Sequence, residues 1–244
     1  MSGFDLFRTQ RRGWIPRSTA GALRGVGEGL LPPESFIVAS GSTKPLDEQP
    51  FDLEGVEREL ARTRRTAETS MLLRDIFSVM ARDEDPEAAL FGAEGLNALE
   101  GRHLEEVRAL KQKPPGRRRE RRLAREYYSL ALLHQGDRAV RAFYLREAFG
   151  CLQRARERGR VPRADLELTC SILLALDLPG QAAARLAHVR DQADPLVLLL
   201  GARVAFQQRD FTRVASLCAR LQDKADTLSP AERDAVVYWA RPRG

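Results

Sequence analysis

Residues of this 244-residue chain that could do chemistry are few and scattered. His103, His134 and His188 have no companions at metal-ligand spacing, and there is no HExxH helix, no phosphate-binding glycine loop ending in Lys-Ser or Lys-Thr, and no Gly-x-Ser-x-Gly elbow. Carboxylates such as Glu105 and Glu106 read as the solvated face of a helix. Cys151, Cys170 and Cys218 stand far apart among apolar neighbours without CxxC spacing. Thiols so placed serve as small core residues, and their odd number agrees with a reducing compartment. The expectation is a non-enzyme with no cofactor and no metal.

The dense chemical feature is basic. From Arg108 to Arg125 nine basic residues accompany one acid, Glu120, so this segment carries +8 while the whole chain carries +6. The high pI therefore describes one patch, and the remainder is slightly acidic. Arg117, Arg118, Arg119, Arg121, Arg122 and Arg125, with Tyr127 and Tyr128 beside them, could grip phosphates through guanidinium pairing and counterion release while the tyrosines stack on bases. The competing reading is a solvated first helical turn after Pro114-Pro115-Gly116 that docks an acidic protein partner. Positive charge at a helix start opposes the helix dipole, which argues against a purely structural purpose.

The elements that must hold these residues read as helical. Residues 1–52 contain seven glycines and five prolines, which break periodicity, so this arm is expected to be disordered or loosely docked. Only 36–40 offers a credible strand. From Leu53 the spacing turns helical, with Val56, Leu60, Met71, Leu72, Ile76, Phe77 and Met80 predicting one long helix or two in succession. Asp85-Pro86 marks a new start, and the alanine-rich run from Ala88 to Leu110 predicts close helix packing up to the stop at Lys113-Pro114-Pro115-Gly116. A helix through Leu123 and Leu133 closes near Gln135-Gly136-Asp137, and Asp137 can cap the next, which extends towards Gly159. Four more are expected at 165–177, 180–192, 195–208 and 211–223. A last one starts at Ser229-Pro230-Ala231-Glu232, where the serine and glutamate have capping-box spacing. The domains expected are thus the arm 1–52, N-terminal helices 53–113, and helical hairpins with a terminal cap over 114–244.

These hairpins resemble the tetratricopeptide (TPR) family, whose unit is two helices over about 34 residues. The clearest unit is Ala164 to Val197, with Leu174 in its first helix, Ala183 at the small second-helix position and Pro195 closing it. Ala148, Leu152, Ala155 and Pro162 take corresponding places before it, after a longer turn. Ala202, Ala205, Asp210-Phe211, Val214, Cys218 and Leu221 do so after it. The equivalent positions Ala148, Ala183 and Val214 are 35 and 31 residues apart, and Ser171 and Ala202 replace the family's close-packing glycine.

The resemblance implies an all-α, right-handed superhelical stack, a TPR-like α-solenoid, acting as a protein–protein interaction scaffold or adaptor in a cytoplasmic assembly. It also implies a groove lined by first helices. At the positions where some members clamp a terminal carboxylate, this chain has Leu168, Ile172 and Leu199, with Arg203 the only cation. That departure leaves an apolar peptide groove or further self-packing. The partner expected is a protein or peptide, with nucleic acid at residues 108–125 as the alternative. No run of about 18 uncharged apolar residues exists for a membrane span; Leu196 to Phe206 is interrupted by Arg203. Met1 to Trp14 lacks the apolar stretch of an export signal, so cytoplasmic residence is the expectation.

Overall fold

Proline opens four of the helices, because at the first helical position its missing N–H had no intrahelical partner to lose. The computed structural model describes residues 67–84, 86–158, 162–224, 226, 228 and 230–240, with 21, 22, 25 and 26 besides. The arm expected over 1–52, apart from those four residues, and the strand at 36–40 lie outside that range. Among the described residues there are helices and no strand: α1 Ala67–Met80, α2 Pro86–Gln112, α3 Arg117–Leu133, α4 Arg138–Glu157, α5 Arg163–Ala175, α6 Pro179–Ala187, α7 Pro195–Gln207, α8 Phe211–Gln222 and α9 Pro230–Ala240. No helix among them is long and apolar enough to cross a membrane.

Local chemistry explains the boundaries. The Asp137 carboxylate accepts from the amides of Ala139 and Val140 at 2.9 and 3.1 Å, and Asp194 and Asp210 cap α7 and α8 in the same way. The helix expected over 180–192 stops early, at Ala187. The side-chain amide of Gln192 donates to the carbonyls of Leu186 and Val189 at 3.0 and 2.6 Å, taking the place of the backbone amides that would have continued it.

Two compact units divide the chain: residues 1–113 with 126–141, and residues 114–125 with 142–244. By these contacts 126–141 group with the N-terminal helices, whereas the domains expected from the sequence place them within 114–244. Arg74 donates to the Leu132 carbonyl at 2.7 Å, His134 pairs with Glu100 at 3.1 Å, and Leu133 packs on the core of Leu73, Ile76, Phe77, Met80, Phe91 and Leu99. In this first unit α1 packs against α2. The closest approach belongs to Gly92 and Gly95: a Cβ on Gly95 would lie 2.5 Å from the Phe77 ring and one on Gly92 would strike the backbone of Phe77 and Ala81, while Ala98 packs on the same core and Ala93 is exposed.

In the second unit α5 packs on α6 and α7, α6 on α7, α7 on α8, and α8 on α9. The most apolar helix, α7, sits in the middle of this order for a reason visible in its spacing. Val197, Leu200 and Val204 face a core with Cys170, Leu173, Ala182 and Leu186, while Leu198, Ala202 and Ala205 face another with Val214, Cys218, Leu221 and Val236. The turns inside the two hairpins are built alike. Leu178 N–H reaches the Leu173 carbonyl (2.9 Å) with Asp177 at φ 59°, and Asp210 N–H reaches the Ala205 carbonyl (2.9 Å) with Arg209 at φ 60°. Both are Schellman turns, which need one left-handed residue. Gln207 links the hairpins, donating at 3.0 Å both to the Leu174 carbonyl and to the Asp177 carboxylate.

Candidate functional site

The arginine cluster at the start of α3 separates into two groups once folded. Arg121 donates through Nε to the Asp165 carboxylate on α5 at 2.7 Å, and Asp165 is buried. Glu120, also buried, accepts from Arg154 Nε on α4 at 2.9 Å and lies 3.9 Å from Arg119. These charges are paired because an unpaired buried carboxylate would cost several kcal/mol. Arg118, Arg122 and Arg125, at helical spacing i, i+4 and i+7, share an exposed face, and Arg117 faces a cavity.

That cavity, of about 490 Å³, opens where α4, α5, α6 and α7 bring their ends together. Antiparallel helices place the C-terminus of one beside the N-terminus of the next, so residues from both loops between hairpins converge there. Phe149, Leu152, Leu166, Val189, Leu196 and Val197 supply its apolar surface. Arg117, Arg156, Arg163, Arg185 and Arg190 supply its charge. The two aspartates in the lining are already engaged, Asp165 with Arg121 and Asp194 with Arg163 at 2.7 Å. Among the described residues no carboxylate pairs with Arg117, Arg156, Arg185 or Arg190. The arrangement suits an anionic ligand with an apolar part.

Protein-family models, curated proteins and solved structures yield no match to this chain. The resemblance set out above accordingly rests on the residues that carry it.

The four groove residues differ in exposure: Leu168 and Leu199 are partly buried, Ile172 is buried and Arg203 is exposed. Ile172 is fully buried and contributes packing alone. Leu199 is partly buried against the core around Ala202 and Val236, and Arg203 on α7 pairs with Glu232 on α9 at 2.9 Å. Leu168 is partly buried on α5, and none of the four lines the arginine-rimmed cavity. Sequence reasoning missed Arg156, Arg163, Arg185 and Arg190, which are scattered singly along the chain. Their one shared signal is position at helix ends and in the loops joining hairpins.

A second constellation also escaped it. In the first unit His103 Nε2 lies 2.9 Å from Ser70 Oγ, and His103 Nδ1 lies 2.7 Å from Glu126 Oε2. With Nδ1–H donating to the carboxylate, Nε2 accepts from the hydroxyl, which is the order of a serine–histidine–acid triad. Nucleophilic work also requires access and oxyanion donors. Ser70 and His103 are 2% and 1% exposed, and the relay joins α1, α2 and α3 as a satisfied polar network inside an apolar core. The spacing from 70 to 103 to 126 follows no motif, so the sequence gives no cue.

The cysteines are core residues as expected. Burial pushes the thiols of Cys151 and Cys170 up to about 11, with Arg154 opposing and Glu120 reinforcing the effect at Cys151, and burial raises Cys218 as well. Among the described residues no cluster of His, Cys, Asp or Glu could hold a metal.

Proposed function

We propose that the chain is a non-catalytic interaction module whose second unit is a TPR-like, right-handed α-solenoid, serving as a scaffold or adaptor in a cytoplasmic assembly. The observation that carries this reading is the recurrence of one hairpin: α5–α6 and α7–α8 turn through the same Schellman geometry, and Gln207 fastens the second hairpin to the first. Stacked hairpins share a continuous core and present side chains from several units to one ligand, which is how such arrays bind proteins. The buried, closed state of Ser70 and His103 supports reading their relay as structural. The test is reconstitution: a partner recovered by affinity purification, with and without residues 1–52, is expressed separately and mixed with the purified chain. A stable complex by size-exclusion chromatography is the expected result; if no recovered candidate reconstitutes, the reading fails.

The exposed stripe Arg118, Arg122 and Arg125 favours a second reading, nucleic-acid binding. Three phosphate contacts would give log–log salt slopes of about −2 to −3. Replacing the three by Ala should abolish binding of a single-stranded oligonucleotide; unchanged binding removes this alternative.

A further inference from the structure

We infer that the cavity between α4, α5, α6 and α7 docks an acidic segment of a partner protein, with an apolar side chain on its floor and carboxylates among its arginines. The inference rests on the interaction-module reading and assigns that module its site and ligand chemistry. Five arginines meet two aspartates in the lining, and both aspartates are already neutralised, one of them by Arg121 from beside the cavity. Arg117, Arg156, Arg185 and Arg190 thus converge without a carboxylate partner among the described residues. Four like charges brought together repel one another, and folding alone gives no return for gathering them. An incoming anion relieves that repulsion, and it does so beside apolar walls, where charge is screened less than in open water.

The floor decides between classes of anion. Phe149, Leu166, Val189 and Leu196 belong to the partly buried edge of the core around Leu173 and Leu200, so the cavity exposes the side of a packed interior. An aliphatic or aromatic side chain would extend that core. Among the described residues the lining contains no tyrosine or tryptophan on which bases could stack, and Phe149 is partly buried in the core, which disfavours a nucleic-acid strand. A volume of about 490 Å³ accommodates one or two side chains of a peptide, leaving its backbone at the arginine rim.

The experiment uses the full chain and a fluorescein-labelled hexapeptide, Glu-Asp-Leu-Asp-Phe-Glu, read by fluorescence anisotropy. Two analogues accompany it, one with Leu and Phe replaced by Ser and one with every acid replaced by its amide. Arg156→Glu with Arg190→Glu reverses two exposed charges that have no ion pair among the described residues; Arg118→Glu with Arg125→Glu does the same on the α3 stripe. The stripe variant should bind the peptide as the wild type does, the cavity variant at least about tenfold more weakly, and both analogues should lose affinity. If the cavity variant loses its thermal transition, Arg190→Gln alone, in an exposed turn, should still weaken binding about threefold. Equal binding by wild type and cavity variant, or no saturable binding up to about 1 mM peptide, overturns the inference. Displacement of the peptide by a lower concentration of oligothymidylate overturns it in favour of nucleic acid. A reconstituted partner complex that survives the cavity variant sinks this site and leaves the module standing, whereas failure to reconstitute any complex sinks the module itself.

Discussion

Replacing Arg121 by Ala should destabilise the second unit, while replacing Arg118, three residues earlier in the same arginine-rich run, should not. Arg121 Nε lies 2.7 Å from Asp165, whose side chain is 7% exposed, so the variant leaves a carboxylate largely dehydrated and without its guanidinium. One-sided removal of a buried pair costs about 3–5 kcal/mol. The Arg121 side chain is 27% exposed, so water already screens one side of the pair and can enter when it is cut back. A loss of about 2–3 kcal/mol follows, which at a urea slope of about 2–3 kcal/mol/M lowers the midpoint by about 1 M. Arg118→Ala, on the exposed face, should stay within about 0.5 kcal/mol of wild type. Arg121→Ala combined with Asp165→Asn should recover part of the loss, because the stranded charge is gone, although the first turn of α5 then lacks its favourable anion. Equal midpoints for Arg121→Ala and Arg118→Ala, or a double variant no better than Arg121→Ala, would refute the division of the cluster into structural and exposed arginines. The outcome bears directly on binding assays, since any variant that includes Arg121 confounds lost binding with lost structure.

Four further outcomes are expected. Gly95→Ala forces a methyl to 2.5 Å from the fully buried Phe77 ring and should cost about 1–3 kcal/mol by thermal melting, whereas Gly101→Ala on the same helix, with nothing within 4 Å, should stabilise by up to about 1 kcal/mol. Arg209→Gly removes a left-handed arginine and should raise stability by about 0.5–1 kcal/mol, while Asp177→Gly should show no such gain because it also deletes the acceptor of Gln207. The folded-state values near 11 for Cys151 and Cys170 lie above the ordinary 9.0, so the stability tied to their protonated thiols is complete below about pH 9 and is lost as pH rises towards 11. The native protein should accordingly react slowly with a disulfide reagent at pH 8, and the stability difference between wild type and Cys170→Ala should shrink over that window; rapid native labelling would contradict the burial. A fluorophosphonate probe should leave Ser70 unmodified, and Ser70→Ala should cost about 1–3 kcal/mol by leaving the His103 nitrogen without its partner; stoichiometric labelling of Ser70 would overturn its structural role.

What could be read along the chain was what local chemistry decides. Proline at 86 and 230 and aspartate at 137 marked helix starts, because capping and the loss of an N–H act over a few residues. Helical spacing likewise identified α7 and the core cysteines. Where local signals competed, the reading slipped: α6 ends at Ala187 through a side-chain bond from Gln192, and the tightest contact of α1 and α2 falls at Gly92 and Gly95, beside an alanine, Ala98, that packs on the same core.

The functional surface was less legible, because proximity between residues far apart in sequence leaves no periodic trace. The sequence by itself determined a helical chain with its main basic excess over Arg108 to Arg125. Only the tertiary structure decided that Arg121 is bound to Asp165, that Ile172 is core, that Ser70, His103 and Glu126 form one relay, and that Arg117, Arg156, Arg185 and Arg190 surround one cavity. The physical reason is that a charge's partner, and hence whether it is neutralised or available, is fixed by packing between helices and not by its neighbours along the chain.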